Sequence, residues 1–346
     1  MVEILERADV SPHPLYEMAL GFAATKTLLA AHRLGLFEAL RDVGKTANEV
    51  AMQLHLPLRT TEMLLNTCVA LHLCKKSGAA YTNEPLAARY LVAGQRGYLG
   101  RFLEHFNDHM YPTWFHLEEG VKTGHAQVAR VMGDQGDHFF QAIDRAPANL
   151  ETFMETMEEH SLLEGKALAQ SYDFKNHREL LDVAGGTGAM SVSILEQFPH
   201  LRACVFDRPP VCEIAKRFIE LHGMSEAIQT HAGDFFQDPL PTHPDVILLS
   251  GILHNWSPEN VRVILSRCRE ALPPGGTLLI SEQLLQDDKT GPLPALLCSL
   301  NMLLMMEGAQ EYSREEYDRF LSQEGFRLES VRPTGGIRQL LVARRL

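Results

Sequence analysis

A run of about 18 uninterrupted apolar residues, the minimum for an ordinary membrane-spanning helix, is absent from the 346 residues of this chain. Positive charge is also short. Lys and Arg number 32 against 44 Asp and Glu, a net of -12, which repels nucleic acid and anionic lipid unless a basic patch is concentrated somewhere. None stands out, so neither a nucleic-acid partner nor a membrane is expected. The first twenty residues carry Glu3, Glu6, Arg7, Asp9 and Glu17 without a long apolar core, so a signal peptide is not expected and the cytoplasm is the expected compartment. Cysteine pairs are missing too: residues 68, 74, 204, 212, 268 and 298 form no C-x-x-C step and are expected as buried free thiols. The sixteen histidines contain no H-E-x-x-H spacing, and no metal site is expected.

What is present is ordinary globular composition, 45% apolar and 22% charged, in a chain long enough for two domains. Its two halves differ in character. The stretch "YEMALGFAATKTLLAAHRLGLFEAL" reads as a long apolar-faced helix closed by Gly35 and followed by a shorter one. "TANEVAMQLHLPLRTTEMLLNTCVALHLC" reads as helix, turn at Pro57 and helix, with "KKSGAAYTN" as a hairpin wing. That order is winged-helix-like, and two uses are open: reading a DNA groove, or packing against a partner subunit. Residues 1–100 hold ten Lys and Arg against nine Asp and Glu, and the would-be recognition helix, residues 59–73, has only Arg59 and Glu62. A groove reader shows several basic residues there, so packing or dimerisation is favoured. A DNA-binding regulator that senses a nucleoside remains the alternative of another class. Domain limits are expected at 1–100, at 101–175 for connecting helices, and at 176–346.

From Glu179 short apolar strands alternate with helices: "ELLDVAGG", "RACVFD", "IQTHAGDFF", "DVILLSGIL", "GTLLISEQ" and "LLVAR". This pattern predicts an α/β domain with a parallel, doubly wound, Rossmann-like sheet whose ligands bind at the carboxyl ends of the strands. The first strand runs into Gly185, Gly186 and Gly188, where the backbone can turn tightly and approach a nucleoside. Nineteen residues past Gly188, Asp207 closes the next strand, placed to accept hydrogen bonds from two ribose hydroxyls. A nicotinamide dehydrogenase is the rival, but G-x-G-x-x-G fails at Ser191. Asp234 and Phe235 of "GDFF" follow the third strand, where a carboxylate can take an adenine amino group and a ring can cover the base. Glycine loop, Asp207 and Asp234-Phe235 in this order resemble the class I methyltransferase pattern for S-adenosyl-L-methionine. Ser250, closing the "VILLS" strand, is grouped with the cofactor-binding residues.

"GILHNWSPEN" poses the remaining question, because His254 stands where a strand hands over to a helix that begins at Ser257-Pro258. A histidine there is either structural or catalytic. The longer stretch "LHNWSPENVRVILSRCREALPPGGTLLISEQLL" resembles the plant-type and hydroxyindole-type small-molecule O-methyltransferases, and the resemblance covers essentially the whole chain. It implies an N-terminal dimerisation domain, hence a homodimer, and a C-terminal S-adenosyl-L-methionine domain that methylates a hydroxyl of a small aromatic molecule. It also implies His254 as the catalytic base, with Glu282 and Glu311 as the carboxylates that orient it. Asn255 departs from the family's usual aspartate, and Tyr312 from its common arginine. By the same register the acceptor pocket is expected to involve Met157, His160, Met302 and Met306, with Trp114 and Phe139 from the connecting helices. Methionine faces suit a flat ring because the thioether is polarizable, and each of these residues could equally be core. N- or C-methylation on the same scaffold is the alternative chemistry.

Overall fold

Local capping decides where several helices begin. Thr46 accepts from the Glu49 backbone N–H and Glu49 accepts from the Thr46 N–H, a capping box that starts the helix Ala47–Leu54. Pro57, extended, precedes the next helix, Leu58–Ala70. In the computed structural model, residues 12–95, 97–133, 139–144 and 147–346 are described. The acidic start from Glu3 to Asp9 lies outside them. The chain divides into two compact units, Met1–Asn107 and Asp108–Leu346.

The first unit opens on the 21-residue helix His13–Arg33, and Gly35 in the left-handed region (φ 78) separates it from the helix Leu36–Ala39. Strands β1 (Lys45–Thr46), β2 (Cys74–Ser77) and β3 (Ala80–Asn83) form a small antiparallel sheet in the order β1-β3-β2. Leu36, Phe37, Val50, Leu65, Cys68 and Tyr81 make its core. The Tyr81 hydroxyl, buried, donates to Asn66 at 2.7 Å, so its polar end is satisfied. The first turns of the opening helix are different: Leu15, Tyr16, Met18, Leu20 and Phe22 are each more than 60% exposed.

The second unit is built on a seven-stranded sheet. Its strands are β4 (Glu179–Val183), β5 (Arg202–Asp207), β6 (Ile228–Ala232), β7 (Val246–Ser250), β8 (Thr277–Glu282), β11 (Phe326–Pro333) and β12 (Gln339–Arg345), in the order β11-β12-β8-β7-β4-β5-β6. Strands β9 (Leu284–Leu285) and β10 (Tyr312–Ser313) form a separate parallel pair. The five strands from β8 to β6 pair in parallel as their βα alternation predicts, and β11 and β12 run antiparallel. The five-residue link between β11 and β12 is too short for a crossover, so only a hairpin is possible. Helices cover both faces: Ile247, Leu249, Leu278 and Ile280 pack on one side with the helix Pro258–Ala271, and Leu180, Leu248, Leu279 and Val342 on the other with the helix Ala189–Gln197.

This topology sets the site. The chain runs from β4 outward through β5 and β6, then returns to β7 on the other side of β4, and the crevice at that switch point collects the strand ends. Among the described residues, no helix is long and apolar enough to cross a membrane.

Candidate active site

The loop after β4 is shaped by what lies beneath it. The Asp182 carboxyl, fully buried in β4, accepts from the Ser191 hydroxyl at 2.7 Å. Burial pushes this carboxyl up to about 6. It fills the space under Gly185, where a Cβ would stand 2.6 Å from the Asp182 Cγ. Gly186 (φ 58) and Gly188 (φ 80) are left-handed, and a Cβ on Gly186 would meet nothing nearer than the Met154 sulfur at 3.9 Å. A ligand can therefore come close to the Gly186 backbone. Asp207, the last residue of β5, accepts from the Gly186 N–H (2.9 Å) through Oδ2 and from the Arg208 N–H (2.7 Å) through Oδ1. The Arg208 guanidinium Nε also lies 3.8 Å from Oδ1, and a carboxylate oxygen can accept more than one hydrogen bond. Open glycine backbone beside a fixed carboxylate fits an adenosyl group.

Beyond β6, Asp234 is engaged locally: its Oδ1 accepts from the Phe236 N–H and its Oδ2 from the Gln237 side chain, both at 2.9 Å. Phe235 packs edge-on against Trp256 with ring centroids 5.8 Å apart, while Phe236 and Phe140 approach the same indole at 4.7 and 6.2 Å. Ser250 ends β7 and accepts from Arg338 Nη1 at 2.9 Å.

After β7 the chain turns through Gly251 (φ 66) into a short 3-10 turn, Leu253–Asn255. Glu282, the last residue of β8, is wholly buried, and its Oε1 accepts from the Ile252 and Leu253 N–H groups, each at 2.8 Å. Those two bonds aim the turn. His254 Nδ1 then lies 3.3 Å from Glu282 Oε2 and 3.0 Å from Glu311 Oε1. Burial works against the imidazolium, but the two carboxylates outweigh it and hold His254 above its ordinary 6.5. Two carboxylate acceptors on one side place the proton on Nδ1 and leave the Nε2 lone pair to accept. The Gln310 N–H donates to the His254 carbonyl at 3.0 Å, which ties the Glu311 loop to the turn that carries His254.

The two unusual residues have clear places. Asn255 donates to the Gly251 carbonyl at 3.2 Å, bracing the same turn. Tyr312 is buried against Tyr317 and Phe320, and its hydroxyl donates to the Trp256 carbonyl at 2.6 Å, so it anchors the loop that carries Glu311. Cys298 also approaches: one ligand atom each from His254, Cys298 and Glu311 lie within 4.8 Å of one another. A soft divalent ion takes such donors, yet burial pushes the Cys298 thiol far up, which disfavours the thiolate.

Of the expected acceptor residues, Phe139, Met302 and Met306 meet in one apolar cluster with Leu150, Met154 and Met305. Met157 is half-buried and is not in that cluster. Trp114 donates to the side chain of buried Asn301 at 3.1 Å. Half-buried His160 is lowered to about 4 by burial and by Arg338, so its ring is neutral at pH 7. Sequence reasoning passed over Asp182, Asn301 and Arg338. Asp182 carried a signal, a lone acid inside an apolar strand, whereas Arg338 carried none.

The chain matches the O-methyltransferase domain family over residues 114–327 and the O-methyltransferase dimerisation domain family over residues 16–93. It is 40% identical over 314 residues to 3-hydroxy-5-methyl-1-naphthoate 3-O-methyltransferase of Streptomyces sahachiroi, covering 91% of this chain and 89% of that protein. It is 36% identical to acetylserotonin O-methyltransferase of Bos taurus, covering 96% and 97%. The structure of human N-acetylserotonin methyltransferase in complex with S-adenosylmethionine superposes with a TM-score of 0.90 at 31% identity, covering 98% of this chain and 99% of that one. A glycine loop beside a fixed carboxylate and a histidine braced by two buried carboxylates thus sit in a chain that belongs to the S-adenosylmethionine-dependent O-methyltransferase family.

Proposed function

We propose that this enzyme methylates a hydroxyl of a small aromatic acceptor, with His254 as general base and Glu282 and Glu311 as the residues that position it. The observation that carries this reading is the buried carboxylate pair on His254 Nδ1, at 3.0 and 3.3 Å. A phenol with a pKa of about 10 is a weak nucleophile at neutral pH until its proton is taken. His254 Nε2 takes that proton, and the two carboxylates stabilise the imidazolium that forms. S-adenosylmethionine, when bound, supplies an electrophilic methyl group. Gly185, Gly186 and Gly188 give it backbone to lie against, Asp207 accepts from its ribose, and Asp234, Phe235 and Ser250 complete that side. The acceptor side draws on Trp114, Phe139, Met157, His160, Met302 and Met306. The naphthoate and acetylserotonin named for the relatives support a flat aromatic acceptor.

Labelled-methyl transfer to hydroxyarenes and to matched arylamines tests this. Product is expected from the hydroxyarenes, at a rate that rises with pH through an inflection above 6.5, because only the neutral imidazole accepts a proton and its protonated form is favoured here. Product from the amines alone, independent of pH in that range, would move the chemistry to nitrogen.

The exposed apolar residues of the first helix support a homodimer. Leu15, Met18 and Phe22 recur at helical spacing with Tyr16 and Leu20 beside them, and all but Leu15 fall within the stretch that the dimerisation family matches from residue 16. Sedimentation at micromolar concentration is expected to give a dimer, and a Met18→Glu, Phe22→Glu variant a monomer. A monomeric wild type would end this reading.

A further inference from the structure

We propose that the Arg338 guanidinium receives a carboxylate within the methyl-transfer site, from a hydroxylated aromatic acid as acceptor or from the aminoacyl end of the cofactor. The inference rests on the function proposed above and adds a charge requirement to it.

Register brings Arg338 to this place. Gln339, the first residue of β12, pairs with Glu282, the last of β8, and Ser281 of β8 pairs with Ser250, the last of β7. Arg338 therefore stands just beyond the strand ends, on the side from which the base turn projects. Its guanidinium reaches back across β8 to the Ser250 hydroxyl, 2.9 Å away. Gly251 leaves the necessary room: a Cβ there would lie 2.5 Å from Nη2, 2.9 Å from Cζ and 3.0 Å from Nη1. The backbone behind it is held as well, since the Thr334 hydroxyl donates to the Arg338 carbonyl at 2.7 Å and Gly336 lies closely over Glu164.

The charge is underused. A guanidinium presents five N–H donors in a planar fork suited to two carboxylate oxygens, and Arg338 spends one on Ser250. Among the described residues none of its nitrogens forms an ion pair with a carboxylate. Two acids are near enough to feel its field without pairing. Glu282 is committed to two backbone N–H groups and to His254. Glu164 is pushed up by burial toward its neutral form, and its Oε2 has no hydrogen-bond partner. His160, facing the same charge, is neutral. A half-buried cation with open donors is costly to keep without a counter-ion, and this one sits on Ser250, at the end of the strand that leads to His254. A bound carboxylate would supply the counter-ion and relieve the pressure that Arg338 exerts against the His254 imidazolium.

Purified full-length enzyme carrying Arg338→Met or Arg338→Lys tests this, with folding checked by thermal melting. Acceptors are a hydroxynaphthoic acid and the naphthol that lacks its carboxylate. Cofactor ligands are S-adenosylmethionine and methylthioadenosine, which lacks the aminoacyl end. If the acceptor supplies the carboxylate, Arg338→Met lowers the kcat/KM ratio of hydroxy acid to naphthol by about 10²-fold, the scale of charge-assisted hydrogen bonds, and lysine restores part of it. If the cofactor supplies it, the affinity ratio of S-adenosylmethionine to methylthioadenosine falls by a similar factor. Both ratios unchanged, even with lower overall activity, would make Arg338 a structural strut and overturn the proposal. A wild type that methylates neither acceptor would instead count against the proposed function, and the cofactor ratio would still report on Arg338.

Discussion

Replacing His254 with alanine is expected to lower kcat for a hydroxyarene by about 10²-fold or more, the usual loss on removing a general base, with cofactor affinity preserved. The selectivity of the effect follows from location. His254 is held by Glu282, Glu311 and the Gln310 N–H, none of which belongs to the glycine loop or to Asp207. Stopped assays with labelled cofactor give kcat, and calorimetry gives the affinity. Near-normal turnover by His254→Ala would remove the base assignment. Glu282→Gln and Glu311→Gln should act through the same ring and be recognised by pH. Each keeps the shape of the side chain and removes one of the two charges that outweigh burial, so the inflection of the rate profile should move down from its position above 6.5. A fall in rate with no movement of the inflection would give those glutamates a structural role only. Glu282→Gln carries the additional risk of weakening the turn, because Oε1 accepts from both Ile252 and Leu253.

Asp207→Ala is expected to weaken S-adenosylmethionine binding by about 10²-fold, since hydrogen bonds to a charged acceptor are worth about 1.5–3 kcal/mol each and the same carboxylate also fixes the loop. Its Oδ2 holds the Gly186 N–H, so the variant loses the proposed ribose acceptor and slackens the backbone proposed to lie against the adenosyl group. Asp207→Asn separates the two contributions: it keeps one acceptor oxygen and should recover part of the affinity. Unaltered cofactor affinity in Asp207→Ala, with melting temperature maintained, would show that the ribose is held elsewhere.

The parts of this protein that the sequence determined are those whose partners are close in the chain. Gly185 to Gly188 follow β4 directly, Asp207 ends the next strand, and a strand-to-helix step marks His254, because alternation of short apolar runs with helices forces a parallel sheet whose strand ends share one edge. Thr46 with Glu49 and Ser313 with Glu316 likewise set helix starts three residues apart. The pairing of Glu282 and Glu311 with His254 was available from family resemblance, since they lie 28 and 57 positions away and no local spacing connects them. Only tertiary structure decided the rest. The Asp182 carboxyl under Gly185, the rings of Phe140, Phe235 and Phe236 around Trp256, and the Trp114 bond to Asn301 are contacts between side chains from separate elements. Arg338 is the extreme case, since the antiparallel register of β12 on β8 delivers it to Ser250, 88 residues away, through the space left by Gly251. A charge on an exposed-looking turn reads as surface in one dimension. Hydrogen-bond register, which fixes strand ends to within one residue, sets it against the end of β7.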